Sequence, residues 1–232
     1  MHLFYHPTLD QETNYLSEEE SKHCIQVLRG KPGDLIHLTD GKGLMAIATI
    51  VKADTRRCSF EIIESTIAPK KSFYSHIAIA PTKQAERMEW FVEKACELGV
   101  DEISFIKTKN SERPLLKLDR LEKKTISALK QSKGGYKTRL NPMVDLKEFL
   151  LKSKADHKHI AVVDSTQAYI NECLEARSNQ LILIGPEGDF TSQELKKALT
   201  HGFNGVSLGA KVLRTETAGV MAAVVINLVN NY

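Results

Sequence analysis

Residues 181–195 read LILIGPEGDFTSQEL, and the parsing of this stretch decides the fold. Leu181 to Ile184 is an apolar run of the length expected for a buried strand. It stops at Gly185, and Pro186, Glu187, Gly188 and Asp189 make a turn. Thr191 with Glu194 three residues on is a capping box, which opens a helix over 191–201 with Gly202 as its C-cap. A buried strand feeding into a capped helix is one unit of a parallel α/β sheet.

The same rhythm continues outward. Downstream, the strand Gly205 to Leu208 stops at Gly209, a loop carries Val212 and Leu213, and Thr215-Glu216-Thr217 opens an apolar helix over about 216–230. Upstream, strands at Ile77–Ala80, Ile103–Ile106 and Ile160–Val163 alternate with helices at Glu86–Leu98, Leu118–Ser132 and Ala168–Ala176. Met88, Phe91, Val92, Ala95 and Leu98 recur at helical spacing before Gly99. The first part of the chain differs. Ser17 caps a helix over 18–29, and short strands at Leu35–Thr39, Leu44–Val51 and Cys58–Ile63 are joined by tight turns, the pattern of a small β-barrel. The proline- and lysine-bearing segment 65–75 separates the two patterns, giving one domain over 1–70 and a second over 73–232.

Composition narrows the classes. The 232 residues are 42% hydrophobic and 26% charged, which suits a soluble globular protein. No basic flank precedes an apolar run at the N-terminus, and Ala218–Val229 is too short to span a bilayer, so a cytoplasmic address is expected. Cys24, Cys58, Cys96 and Cys173 are far apart, and His157-x-His159 is the closest approach to a ligand pair, so neither disulfides nor metal are expected.

The glycine turn at 185–188 is no P-loop, because Asp189 stands where a lysine would follow the second glycine, and its glycine spacing does not fit a dinucleotide fingerprint. Taken alone, it is either a plain strand-to-helix turn or one wall of a pocket. The second glycine corner, at Gly209, favours a pocket at the carboxyl edge of the sheet, suited to an uncharged ring such as an adenosine without phosphates. Arg214 and Glu216, two residues apart, are either a solvated ion pair or reactive groups beside that pocket. Residues 107–139 hold 11 basic and 3 acidic side chains. They are either a solvated helix face or, with Tyr136 in a flexible basic loop, a surface for RNA.

Four segments together resemble one family: LILIGPEGDFTSQEL (181–195), GFNGVSLGAKVLRTETAGV (202–220), ERMEWFVEKACELGV (86–100) and HCIQVLRGKPGDLIHLTDG (23–41). They are similar to the RsmE family, which methylates N3 of a uridine in small-subunit (16S) ribosomal RNA. The resemblance implies a SPOUT-type, trefoil-knotted α/β methyltransferase domain preceded by a PUA-like β-barrel domain that binds RNA. It also implies S-adenosyl-L-methionine as methyl donor, and a homodimer. The family usually has arginine where Lys211 stands, and often glycine at Asp189.

Carried onto this chain, cofactor binding falls on Leu183, Ile184, Gly185, Pro186, Glu187 and Gly188, and on Leu208, Gly209, Val212, Leu213 and Thr215. Arg214 is expected to stabilise a developing uracil anion, with Glu216 as base or as the group that orients Arg214. RNA contacts are expected at Arg29, Lys83, Arg87, Arg113, Gln131 and Lys133. Two alternatives stand beside this: a related knotted methyltransferase acting on a ribose 2′-hydroxyl or on transfer RNA, and a non-catalytic ribosomal-RNA-binding protein.

Overall fold

The computed structural model describes residues 2–9, 14–112, 116–164 and 166–232. Two compact units divide the chain, Met1–Lys70 with Ile126–Lys137, and Lys71–Thr125 with Thr138–Tyr232.

In the first unit, β1 (Leu3–Tyr5) precedes α1 (Glu18–Lys22), which Ser17 caps through its side-chain oxygen, and the helix continues as a π-helical segment over His23–Val27. Then come β2 (Leu35–Thr39), β3 (Leu44–Lys52) and β4 (Ser59–Ile67). The hydrogen-bonded ladder is a four-stranded sheet in the order β1-β2-β3-β4, parallel only between β1 and β2. Where the sequence suggests a barrel, β1 and β4 are the two edges of this ladder among the described residues. The register slips twice between β3 and β4, between Ile47/Ala48 and between Ile50/Lys52, which bends and twists the pair. Phe4, Leu16, Cys24, Leu38 and Phe60 fill the core. Residues 126–137 join this unit through specific bonds: Lys130 Nζ lies 2.6 Å from Glu20 Oε1, Tyr136 donates to the Ala68 carbonyl, and Gly43 N–H donates to the Gly135 carbonyl.

The second unit contains β5 (Tyr74–Ile79), α2 (Ala85–Glu97), β6 (Glu102–Lys107), α3 (Leu118–Ser132, whose second half belongs to the first unit), β7 (Arg139–Asp145) and α4 (Leu146–Lys152). It continues with β8 (His157–Ala161), α5 (Ile170–Cys173), β9 (Asn179–Ile184), α6 (Ser192–Thr200), β10 (Asn204–Val206) and α7 (Thr215–Val229). All six strands are parallel, in the order β10-β8-β9-β5-β6-β7. Strand side chains alternate between faces. Leu181 and Leu183 meet Leu146, Phe149 and Leu150 of α4 and Ala198 of α6. On the other face α7 lies against β5 and β9, with α2 and α5 beside it. Gly219 permits that approach, since a Cβ there would run into the Phe91 ring and come within 3.1 Å of Ile79. The chain runs from β5 outward to β7, returns to β8, and then crosses from β9 past β8 to β10. The end of an open parallel sheet where the winding reverses is where such folds bind ligands.

Candidate active site

Beyond the carboxyl ends of β8, β9 and β10 lies a cavity of about 330 Å³, large enough for a small ligand. Three chain segments wall it: Ala161–Asp164, Ile184–Asp189 and Leu208–Leu213, with Thr215 and Ala218 from the start of α7.

The walls are tied to one another. Thr215 Oγ1, buried at the first turn of α7, donates to the Gly185 carbonyl at 3.0 Å and joins the two glycine corners. Glu187 Oε1 accepts from Lys83 N–H at 3.3 Å. Asn110 Nδ2 donates to the carbonyls of Gly188 and Asp189 at 2.9 and 3.0 Å. The capping box is formed in full, and Glu194 also accepts from Lys109 N–H at 2.8 Å. Burial alone would raise the Glu194 carboxyl, but the N–H groups of Lys109 and Thr191 hold it below the usual range.

Several features fit a nucleoside that carries positive charge and no phosphate. Gly209 has φ +135°, and a Cβ added there would meet nothing within 4 Å, so the backbone itself faces open space. The N–H groups of Ala210, Lys211, Val212 and Leu213 make no hydrogen bond among the described residues. α7 has no side-chain cap, whereas α6 is fully capped. Asp164, Glu187 and Asp189 outnumber Lys211 among the charged lining groups, a balance that repels phosphate and favours a sulfonium.

Of the residues singled out from the sequence, Ile184, Gly185, Pro186, Glu187, Leu208, Gly209, Val212, Leu213 and Thr215 line the cavity. Leu183 and Gly188 do not. Leu183 points into the core beneath α4 and α6, because adjacent strand residues face opposite ways. Gly188 turns toward Asn110. The wall Ala161–Asp164 escaped sequence reasoning: its apolar residues looked like strand, yet β8 ends at Ala161 and Val163 is 65% exposed. The available signal was a third apolar strand ending beside the two glycine corners.

Arg214 is the exposed N-cap residue of α7 and makes no ion pair among the described residues. Glu216 is not its partner. That carboxylate is 6% exposed, with Oε1 3.7 Å from Arg87 Nε, and Oε2 has no hydrogen-bond partner. Arg87, expected at the RNA, thus faces Glu216, and Lys83 pairs with Glu112 at 3.0 Å. Arg29, Gln131 and Lys133 are exposed, and Arg113 lies outside the described residues. Much of the local positive charge of 107–139 is matched by acids distant in sequence: Arg120 with Glu89 (2.6 Å), Lys124 with Glu93 (3.7 Å), Lys130 with Glu20 (2.6 Å) and Arg139 with Glu102 (2.6 Å).

The fold and cavity coincide with a known class. Residues 69–227 match the RNA methyltransferase domain family and residues 16–63 the RNA methyltransferase PUA domain family. The molecule is thus an α/β RNA methyltransferase fold behind a PUA domain. The ribosomal RNA small subunit methyltransferase E of Mesomycoplasma hyopneumoniae (strain 232) is 30% identical over 165 residues, 69% of this chain and 71% of that protein. A probable rRNA-methyltransferase from Porphyromonas gingivalis superposes with a TM-score of 0.93 at 39% identity, over 100% of this chain and 99% of its own. The Neisseria gonorrhoeae ribosomal RNA small subunit methyltransferase E, bound to S-adenosyl methionine, superposes with a TM-score of 0.89 at 26% identity, over 99% of this chain and 98% of its own. The chain belongs to the ribosomal RNA small subunit methyltransferase E family.

Proposed function

We propose that this protein is an S-adenosyl-L-methionine-dependent methyltransferase that methylates N3 of a specific uridine in 16S ribosomal RNA, acting in the cytoplasm as a homodimer. The observation that carries the proposal is the Thr215–Gly185 bond, which closes two glycine-cornered loops around one cavity at the carboxyl edge of the sheet. S-adenosyl-L-methionine supplies an electrophilic methyl group. The bare loop 208–213 and the corner at Gly185 hold its nucleoside through backbone groups, and Glu187 and Asp189 favour its positive end.

N3 of uracil bears a proton and becomes nucleophilic only as that proton leaves. Glu216 takes it: Oε2 lacks a partner and Arg87 holds the other end of the carboxylate, and because Glu216 is buried and lies outside the cavity lining, its side chain must turn toward the base when RNA binds. Arg214, unpaired and exposed, stabilises the charge that develops on a uracil carbonyl oxygen. The target base leaves any duplex to reach these groups. The first unit positions the RNA with Arg29, and its Gln131 and Lys133 add contacts at the end of α3. The crossing of β9 past β8 to β10, with the loops tied behind it, supports a trefoil-knotted path. Exposed Met221 and Leu228 on α7 and Trp90 on α2 support pairing of two copies through this face.

Mass spectrometry of digested 16S RNA, methylated in vitro with a labelled donor, tests the atom and the substrate together. A methyl group on ribose or on transfer RNA alone would overturn the assignment. Arg214→Ala should lower kcat by about 100- to 1,000-fold and Glu216→Gln by about 100-fold or more, with cofactor binding retained. Light scattering at micromolar concentration should give the mass of a dimer.

A further inference from the structure

We propose that a second groove on the same sheet edge binds the sugar-phosphate backbone of the substrate RNA beside the target uridine. The inference rests on the methyltransferase function above and adds a binding site to it. The groove encloses about 730 Å³ and is walled by the segment after β6, by α4 and by α6. Lys107, Lys109, Lys147 and Lys197 stand around it. All four are exposed, and none makes a side-chain ion pair among the described residues.

The groove also contains three acids, Asp145, Glu148 and Glu194. Glu148 pairs with Lys152 at 2.7 Å, and Glu194 accepts from the N–H groups of Lys109 and Thr191. Glu194 keeps its negative charge beside Lys109, so with Glu148 paired the four ammonium groups face Asp145 and Glu194, which leaves an excess of positive charge around the groove. The contrast with the basic helix α3 is direct: there Arg120, Lys124 and Lys130 have carboxylate partners, and here the lysines do not. Thr108 and Ser111, whose hydroxyls bond each other at 3.0 Å, add polar groups to the wall. Unpaired lysines with hydroxyls beside them are a common way to hold phosphate oxygens without reading sequence.

Position gives the groove its purpose. Lys109 and Asn110 form a partition shared with the methyl-donor cavity, since Lys109 N–H binds Glu194 and Asn110 grips the carbonyls of Gly188 and Asp189. An RNA strand held on the lysines therefore runs one loop away from the cavity, and a nucleotide turned out of it reaches the glycine corners. The volume lies within the range of sites for small ligands, enough for a short stretch of backbone.

The test compares Lys107→Ala/Lys147→Ala with a control of equal charge loss outside the groove, Lys154→Ala/Lys196→Ala. Binding of protein-free 16S RNA and of a short oligouridylate is measured across a salt series. Each single-strand phosphate contact contributes about 0.7 to the slope of log affinity against log salt. The groove variant should therefore lose about 1.4 from the slope and about 25-fold in affinity at about 0.1 M salt. The control should lose little, and cofactor affinity should be unchanged in both. Equal losses in control and groove variants, or a wild-type slope in the groove variant, would overturn the proposal. Because RNA affinity is read without turnover, failure of the groove is distinct from failure of the methyl-transfer function, which a wild-type protein that transfers no methyl group would reveal.

Discussion

Gly209→Ala probes the bare corner most directly. The residue has φ +135°, and a side chain there would enter open space rather than strike a neighbour. The penalty is therefore conformational, about 1–3 kcal/mol for an L residue held in such a region. If the loop keeps its shape, the strain appears as lost stability, about 2–4 °C in Tm for each kcal/mol in a unit of this size. If the loop relaxes in the free protein, the strain returns when S-adenosyl-L-methionine restores the corner, and affinity falls instead, by roughly 5- to 150-fold. The two losses belong to one cycle, so together they should reach at least about 1–3 kcal/mol. Calorimetric titration and thermal unfolding of the same variant measure both. Gly33→Ala is the control: φ +93° with nothing within 4 Å, but in the first unit, whereas every residue lining the cavity belongs to the second. It should reduce stability and leave cofactor affinity alone. Losses summing to zero at Gly209, or an equal affinity loss at Gly33, would refute the assignment of this corner to the cofactor.

Three further expectations are simpler. Thr215→Val removes the hydroxyl that ties the glycine corners and should weaken cofactor binding by about 1 kcal/mol, with Thr215→Ser restoring it in calorimetry. Gly219→Ala should destabilise the second unit in urea unfolding: overpacking against Phe91 and Ile79, at about 1–3 kcal/mol, outweighs a helix-propensity gain of about 1 kcal/mol. Burial pushes the His76 imidazole down to about 4, even with Glu102 3.8 Å away. The folded state thus holds it neutral while the unfolded chain protonates near 6.5, so stability should fall between about pH 6.5 and pH 4 by on the order of 3 kcal/mol. His76→Gln should flatten that acid limb in a pH series of unfolding curves.

What could be read from the sequence was what local chemistry determines. The capping box at Thr191 and Glu194, the strand before Gly185 and the helix over 118–132 depend on near neighbours in the chain, and all are present. β7 was missed because Pro142 lacks a donor and interrupts the strand pattern. It is tolerated because β7 is an edge strand whose register against β6 slips between Ser104/Ile106. β1 has only three residues and draws its definition from β2. The helix expected over 168–176 shrinks to Ile170–Cys173. At the site, both glycine corners were visible, whereas the wall Ala161–Asp164 depends on strand order, which no single segment encodes. Charge misled for the same reason: the acids that neutralise α3 lie on other elements and meet it only after folding.

Every residue lining the methyl-donor cavity is numbered 161 or higher, and this has a consequence for synthesis on the ribosome. A nascent chain that has grown only to Ile160 already contains the first unit and the strands β5 to β7, yet possesses no part of the pocket. Cofactor capture at the proposed site is therefore a late event in the birth of the molecule. Early folding must proceed without the stabilisation that a bound ligand contributes by mass action.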